Sequence, residues 1–92
     1  MLTLKLREQK RLLPRGIVGL SPWTDLTCSG HSHEKKKEVD PILSSQYLDK
    51  AIQSYAPGED LTNPFISPLF ADFTGFPTVY LQVGSNEILL DD

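Results

Sequence analysis

The sequence predicts an α/β fold in which two parallel strands are joined by a long crossover that contains a helix. Two short apolar runs, residues 17–20 and 78–83, are each bounded by turn-forming Gly, Pro, Ser or Asn residues. The second run is nearly continuous rather than alternating, which is typical of a parallel strand covered on both faces. The segment between the two runs is far longer than a hairpin loop, so a parallel arrangement is favoured over an antiparallel one.

The first helix is expected over residues 2–13, ahead of the first strand. Leu2 and Leu6 share one helical face among Lys and Arg residues, and Leu13 lies seven positions further on. Pro14 ends the pattern because proline cannot continue a helix. Such a basic amphipathic helix favours an outer layer of the α/β fold, and a helix lying on a membrane surface is the alternative.

A second helix is expected in the crossover. Asp40 is a good N-cap residue, Pro41 suits the first helical position, and Pro57-Gly58 is a typical stop signal. The apolar residues between these signals recur at helical spacing: Ile42, Leu43, Tyr47, Leu48, Ile52 and Tyr55.

The composition of the chain limits the kinds of partner that it is expected to bind. The chain has 92 residues and a formal net charge of −3, which argues against nucleic acid or an anionic membrane as partner. No apolar run approaches the ~20 residues that cross a bilayer. Residues 1–14 lack the apolar core of a secretory signal, so we expect a cytoplasmic location.

The polar segment at residues 29–40 is expected to be a surface loop or the mobile start of a cap segment. It contains His31 and His33 followed by Glu34, and three consecutive lysines that suit a solvated face. A zinc site needs three or four converging ligands, and Cys28 is the only cysteine. We therefore expect both histidines to be exposed to solvent, and the sequence predicts neither a metal site nor a cofactor.

Two residues are candidates for catalysis by position. Ser21 follows the first strand, but it is not in a Gly-x-Ser-x-Gly elbow, and Pro22 directly after it lacks the backbone N–H of an oxyanion hole. Glu87 follows the second strand, at the carboxyl end where open α/β sheets place their chemistry. The alternative for Glu87 is an acid at a helix N-terminus, where it stabilises the helix dipole.

Three phrases together carry a resemblance to a known family. They are LSPWTDLT at 20–27, NPFISPLFAD at 63–72 and FPTVYLQVGSNEILLDD at 76–92. In this order the chain resembles the α/β-hydrolase fold, specifically the hormone-sensitive-lipase-like (bacterial type IV) carboxylesterase family. There, Ser-Pro-Trp-x-Asp-Leu follows the sixth strand, Asn-Pro-x-Ile-Ser-Pro-Leu precedes the seventh, and the triad acid comes directly after it. The resemblance implies a partial domain over residues 1–92, from the helix before strand six to the acid turn after strand seven.

The family motif Asp-Pro-Leu-x-Asp aligns with residues 87–91, where Glu stands in place of the first Asp and Ile in place of Pro. The alignment implies that Glu87 is the triad acid and Asp91 the second carboxylate. Asp91 is the alternative acid. Glu in place of Asp is chemically acceptable, since either carboxylate can orient an imidazole.

The function implied is hydrolysis of small-molecule carboxylic esters. The resemblance places the nucleophilic serine and the catalytic histidine outside residues 1–92, so we expect these residues alone to be inactive. The alternatives are a non-catalytic binding or regulatory protein built on the hydrolase core, and a small self-standing α/β domain.

Overall fold

The two strands predicted from the sequence are parallel neighbours in the structure. The computed structural model describes residues 1–92. Strand β1, Gly16–Leu20, pairs in parallel with β2, Thr78–Gln82, and Gly16 lies opposite Thr78. The prediction of parallel strands with a helix in the crossover is confirmed.

Both faces of this two-stranded sheet are exposed, which contradicts the predicted covered strands. Val18 and Leu20 are each 70% exposed, and Tyr80 and Leu81 are 58% and 60% exposed. The two strands pack closely on each other, and no helix packs on them to a comparable extent. The apolar run therefore indicated a sheet with two apolar faces. Neither face is covered by a layer of helices from these 92 residues.

Helix α1, Leu2–Glu8, is shorter than predicted and is buried on a different face. It ends before Leu13 because Lys10 has a φ of 54°, in the left-handed region. Leu4 is buried, whereas Leu2 is 73% exposed. The Arg7 side chain explains the orientation, since Nη1 donates to backbone carbonyls in the loop before β2, those of Asp72 (2.7 Å) and Thr74 (2.8 Å).

Helix α3, Ser45–Tyr55, forms the middle of the crossover, and it begins later than predicted. Its N-cap is Ser44, whose Oγ accepts the N–H of Tyr47 at 3.2 Å. The prediction of Asp40 as N-cap is wrong, because its carboxylate instead closes a tight turn over residues 40–43 and reaches a distant part of the chain. The predicted end, just before Pro57-Gly58, is confirmed.

The buried core lies between α3 and the residues that follow β2. Leu48 of α3 is 2% exposed and packs with Ile88 (0%) and Leu89 (6%). Part of the predicted surface loop is a single helical turn, α2, Ser32–Lys35, and a 3₁₀ turn covers Pro68–Phe70. No helix of the chain has the length and apolar character needed to cross a bilayer.

Candidate active site

The ten residues after β2, which we call the acid turn (residues 83–92), form consecutive tight turns. The N–H of Glu87 donates to the carbonyl of Gly84 (3.1 Å), and the N–H of Leu90 donates to the carbonyl of Glu87 (3.2 Å). No helix begins at Glu87. The interpretation of Glu87 as a helix N-terminal acid is therefore wrong.

Glu87 lies at the carboxyl ends of both strands. Together with Leu20, Ser21, Gln82, Val83 and Gly84 it lines an open pocket of about 330 Å³. Its Oε1 accepts the backbone N–H of Gly84 at 3.0 Å. A Cβ at position 84 would lie only 2.7 Å from that oxygen, so the close approach of the carboxylate requires glycine there.

The residue after Glu87 is fixed by its side chain and by both of its backbone groups. Ile88 is fully buried. Its N–H donates to Oδ2 of Asp40 (2.8 Å), and its carbonyl accepts the hydroxyl of Ser32 (2.7 Å). The backbone of the acid turn is thus held by two side chains that lie before α3 in the sequence.

The ionised form of the Asp40 carboxyl group is stabilised by hydrogen bonds from the backbone. Burial acts to raise the pKa of this carboxyl, but the backbone N–H groups of Ile88, Leu43 and Ile42 outweigh burial and lower the pKa from its usual value of 3.8. Two of these three hydrogen bonds fix the carboxylate in the loop before α3, and the third, from Ile88, joins that loop to the acid turn.

Asp91 and Asp92 are both bound to α2. Oδ2 of Asp91 accepts the N–H of Ser32 at 2.8 Å, which satisfies a first-turn donor of that short helix. Oδ1 of Asp92 lies 2.7 Å from Nε2 of His33, and the two side chains are 1% and 9% exposed. Oδ2 of Asp92 also accepts the N–H groups of Thr24 (3.2 Å) and Asp25 (3.1 Å).

The prediction that both histidines are exposed is half right. His31 is exposed, as predicted, whereas His33 is buried against Asp92. His33 and Asp92 lie 59 residues apart in the chain, so no local sequence pattern indicates their contact.

Comparison with known proteins identifies the family. The sequence model of a protein family whose description is "alpha/beta hydrolase fold" matches residues 1–92. The chain belongs to the α/β-hydrolase fold family. It is 41% identical over 96 residues to an esterase of Acinetobacter venetianus, covering 99% of this chain and 30% of that protein. It is 40% identical over 87 residues to an acetyl-hydrolase of Streptomyces hygroscopicus, covering 95% of this chain and 29% of that protein.

Solved structures place this α/β-hydrolase chain among hormone-sensitive-lipase-like esterases. A hormone-sensitive lipase from a metagenome library matches with a TM-score of 0.92 and 40% identity, over 96% of this chain and 30% of that one. An esterase of the bacterial hormone-sensitive lipase family matches with a TM-score of 0.92 and 36% identity, over 98% of this chain and 30% of that one. The resemblance stated from the sequence is confirmed. The chain spans about 30% of the length of the curated relatives it matches.

The His33–Asp92 pair has the residue types of a hydrolase triad, but its surroundings are those of a structural contact. The Ser29 hydroxyl donates to the Asp25 carboxylate, and the Ser32 hydroxyl donates to the carbonyl of Ile88. These are the serines nearest to His33 in sequence, and neither hydrogen bonds to its ring. The pair therefore joins α2 to the end of the acid turn.

Cys28 is poorly suited to act as a nucleophile or metal ligand in this chain. Burial, together with the negative charges of Asp92, Asp25 and Asp49, raises the pKa of its thiol to about 11. No three His, Cys, Asp or Glu side chains are placed to share a metal ion.

Sequence reasoning missed the residues that hold the acid turn. Ser32 lies in a polar segment with no distinctive spacing, and the contact of Asp40 with Ile88 joins residues 48 positions apart. The Asp-Pro pair at 40–41 is a strong local helix signal, which concealed the long-range role of Asp40. Only knowledge of the tertiary fold could have identified these contacts.

Proposed function

We propose that the chain provides Glu87 as the acid of a Ser-His-acid triad in a carboxylic ester hydrolase. The observation that carries the proposal is the position of Glu87, at the carboxyl ends of two parallel strands, on a turn anchored by the fully buried Ile88. Parallel α/β sheets bind and transform their ligands at this edge. The proposed domain is the one implied by the family, from the helix before the sixth strand to the turn after the seventh.

In this mechanism the serine attacks the ester carbonyl, and the histidine accepts its proton and returns it to the leaving alcohol. The role of Glu87 is to hold the imidazole in the productive tautomer and to stabilise its cationic form. Glu87 suits this role because only Oε1 is hydrogen bonded within the chain, to Gly84. Oε2 is therefore available to a histidine ring at the pocket.

Asp91 is the rival acid, and its contacts favour a supporting role. Its Oδ2 is bonded to the N–H of Ser32, and its Cβ lies against Gly30, where an added Cβ would be 3.1 Å away. Asp91 thus faces α2, whereas Glu87 lines the pocket at the strand ends. Movement of Asp91 towards the pocket would break its contact with α2.

The substrate class that we propose is a small carboxylic ester. The esterase and acetyl-hydrolase that the chain matches support this proposal, and so do its structural relatives among hormone-sensitive-lipase-like esterases. The cytoplasmic location expected from the sequence stays a prediction.

The test is a chimeric esterase in which residues 1–92 replace the matching segment of the Acinetobacter venetianus esterase. Glu87→Gln retains the size of the side chain and removes its charge, and Asp91→Asn is the matched variant of the rival. We expect Glu87→Gln to lower kcat for p-nitrophenyl acetate by ~10²–10⁴, as the corresponding change does in a triad. We expect Asp91→Asn to cost less.

Two results would contradict the proposal. If Asp91→Asn costs more than Glu87→Gln, the acid is wrongly assigned. If the chimera folds and binds an ester analogue but does not hydrolyse esters, the non-catalytic binding or regulatory alternative is supported.

A further inference from the structure

We propose that Ser32 and Asp40 are positioning residues for Glu87, acting as a two-sided clamp on the backbone of Ile88. This inference rests on the proposed function of Glu87 and deepens it. It concerns the segment at residues 29–40, which the sequence indicated to be a surface loop.

Ser32 forms one side of the clamp. It is 2% exposed, so its hydrogen bonds are shielded from water. Its hydroxyl donates to the carbonyl of Ile88 (2.7 Å) and accepts the N–H of Asp91 (3.0 Å), while its own N–H donates to Oδ2 of Asp91 (2.8 Å). One small side chain thus ties two points of the acid turn to the start of α2.

Asp40 forms the other side. Oδ2 accepts the N–H of Ile88 at 2.8 Å, and Oδ1 accepts the N–H groups of Ile42 and Leu43, both at 2.8 Å. The bonds to Oδ1 fix the carboxylate itself, so the oxygen that holds Ile88 cannot rotate freely. Charge-assisted bonds of this kind are stronger than neutral ones.

The clamp acts on Glu87 through the backbone. Consecutive Cα atoms are joined rigidly at ~3.8 Å, so the position of Ile88 sets that of the residue before it. The two sides come from different segments, α2 and the loop before α3, and together they hold the N–H and the carbonyl of Ile88. Loss of either side leaves Ile88 hydrogen bonded at only one of its two backbone groups, which gives the peptide between Glu87 and Ile88 more freedom to move.

Ser32 and Asp40 could instead stabilise the fold without any influence on the position of Glu87. The two roles differ in what they change. A purely structural role lowers stability, and catalysis by the folded enzyme is the same. A positioning role lowers kcat in the folded enzyme, does not change KM, and depends on the presence of the Glu87 carboxylate.

The experiment uses Ser32→Ala and Asp40→Asn in the chimeric esterase, each alone and combined with Glu87→Gln. Ser32→Ala removes two hydrogen bonds without changing charge. Asp40→Asn retains one oxygen that accepts hydrogen bonds and replaces the other by an NH2 group, which cannot accept a hydrogen bond from a backbone N–H. Misplacement of a catalytic group by ~1 Å costs up to roughly 10²-fold, so we expect kcat to fall roughly 10–100-fold with KM unchanged.

The matched controls are Ser67→Ala and Asp60→Asn. Ser67 is fully buried and its Oγ accepts the N–H of Leu26 at 2.9 Å, so it resembles Ser32 but makes no hydrogen bond to the acid turn. Asp60 caps a local turn by accepting from Thr62, and its pKa is lowered by hydrogen bonds from the Thr62 hydroxyl and backbone. We expect both controls to keep kcat within about threefold of the unsubstituted chimera.

The combined variants separate this inference from the proposed function. With Gln at position 87, Ser32→Ala and Asp40→Asn should each cost less than about threefold, because residues that act as a unit are not additive. Backbone amide exchange should become faster at Asp91 in Ser32→Ala and at Ile88 in Asp40→Asn. If Ser32→Ala does not fold, Asp40→Asn decides the question by the same measurements.

The clamp is overturned if Glu87→Gln impairs catalysis while Ser32→Ala and Asp40→Asn behave like their controls. It is also overturned if these variants lose the same factor of kcat with and without the Glu87 carboxylate. A different result, in which Glu87→Gln leaves kcat intact, refutes the assignment of the acid and with it the catalytic role of the clamp. Amide exchange would still show whether Ser32 and Asp40 hold the turn.

Discussion

Replacement of Gly84 by alanine should impair catalysis by moving Glu87. The added Cβ would lie 2.7 Å from Oε1 of Glu87, 3.2 Å from its Cγ and 3.3 Å from its Cδ. To regain an ordinary contact of ~3.5 Å, the carboxylate must move by about 0.8 Å. Gly84 does not have a positive φ, so the substitution strains the side chain at position 87 rather than the backbone.

The expected loss follows from that displacement. Since ~1 Å of misplacement costs up to roughly 10²-fold, we expect Gly84→Ala to lower kcat of the chimeric esterase roughly 10–100-fold. KM should not change, because a triad acid interacts with the histidine and not with the ester. The assay is steady-state hydrolysis of p-nitrophenyl acetate, with thermal unfolding measured in parallel.

Gly16→Ala is the matched control. A Cβ at position 16 would meet only the carbonyl oxygen of Thr78, at 3.6 Å, which is an ordinary contact. The reasoning would be refuted if Gly84→Ala leaves kcat unchanged. It would equally be refuted if Gly84→Ala costs the same factor when position 87 is alanine, since no carboxylate is then present to be displaced.

Two further predictions concern the 92-residue chain itself. It should hydrolyse p-nitrophenyl esters no faster than background. The ring of His33 is bonded to Asp92, and the neighbouring Ser29 and Ser32 hydroxyls donate to other groups and not to this ring. Hydrolysis that is abolished by a serine-directed organophosphate, with the label attached to this chain, would contradict this prediction. Cys28, whose pKa is raised from 9.0 to about 11, should react with iodoacetamide at pH 8 roughly 100-fold more slowly than in the urea-unfolded chain, because its thiolate is that much rarer. Equal rates of alkylation, followed by mass spectrometry, would contradict the second prediction.

The sequence was sufficient for the strands, because each is a short apolar run with clear turn residues on both sides. It was also sufficient for the end of α3, where Pro57-Gly58 cannot continue a helix. The position of Glu87 after β2 follows from the same pattern. These features depend on residues close together in the chain, and local patterns indicate them well.

Features that depend on distant residues were not predictable in the same way. Asp40 has the local signature of a helix N-cap, yet its carboxylate is bonded to Ile88, so α3 begins at Ser45 instead. His33 has the signature of a solvated loop residue, yet Asp92 buries it. In both cases a tertiary hydrogen bond outweighs a local preference, and one sequence without its fold does not reveal such partners.

The parallel pairing of β1 with β2 has a consequence for the order of synthesis. Gly16 pairs with Thr78, and at ~5–20 residues per second a ribosome needs roughly 3–12 s to make the chain between them. Until that synthesis is complete, the edge of β1 that pairs with β2 in this structure has no β2 to pair with. Since an unpaired strand edge is a template for association with other chains, this edge of β1 is open to such association for seconds before β2 has been made.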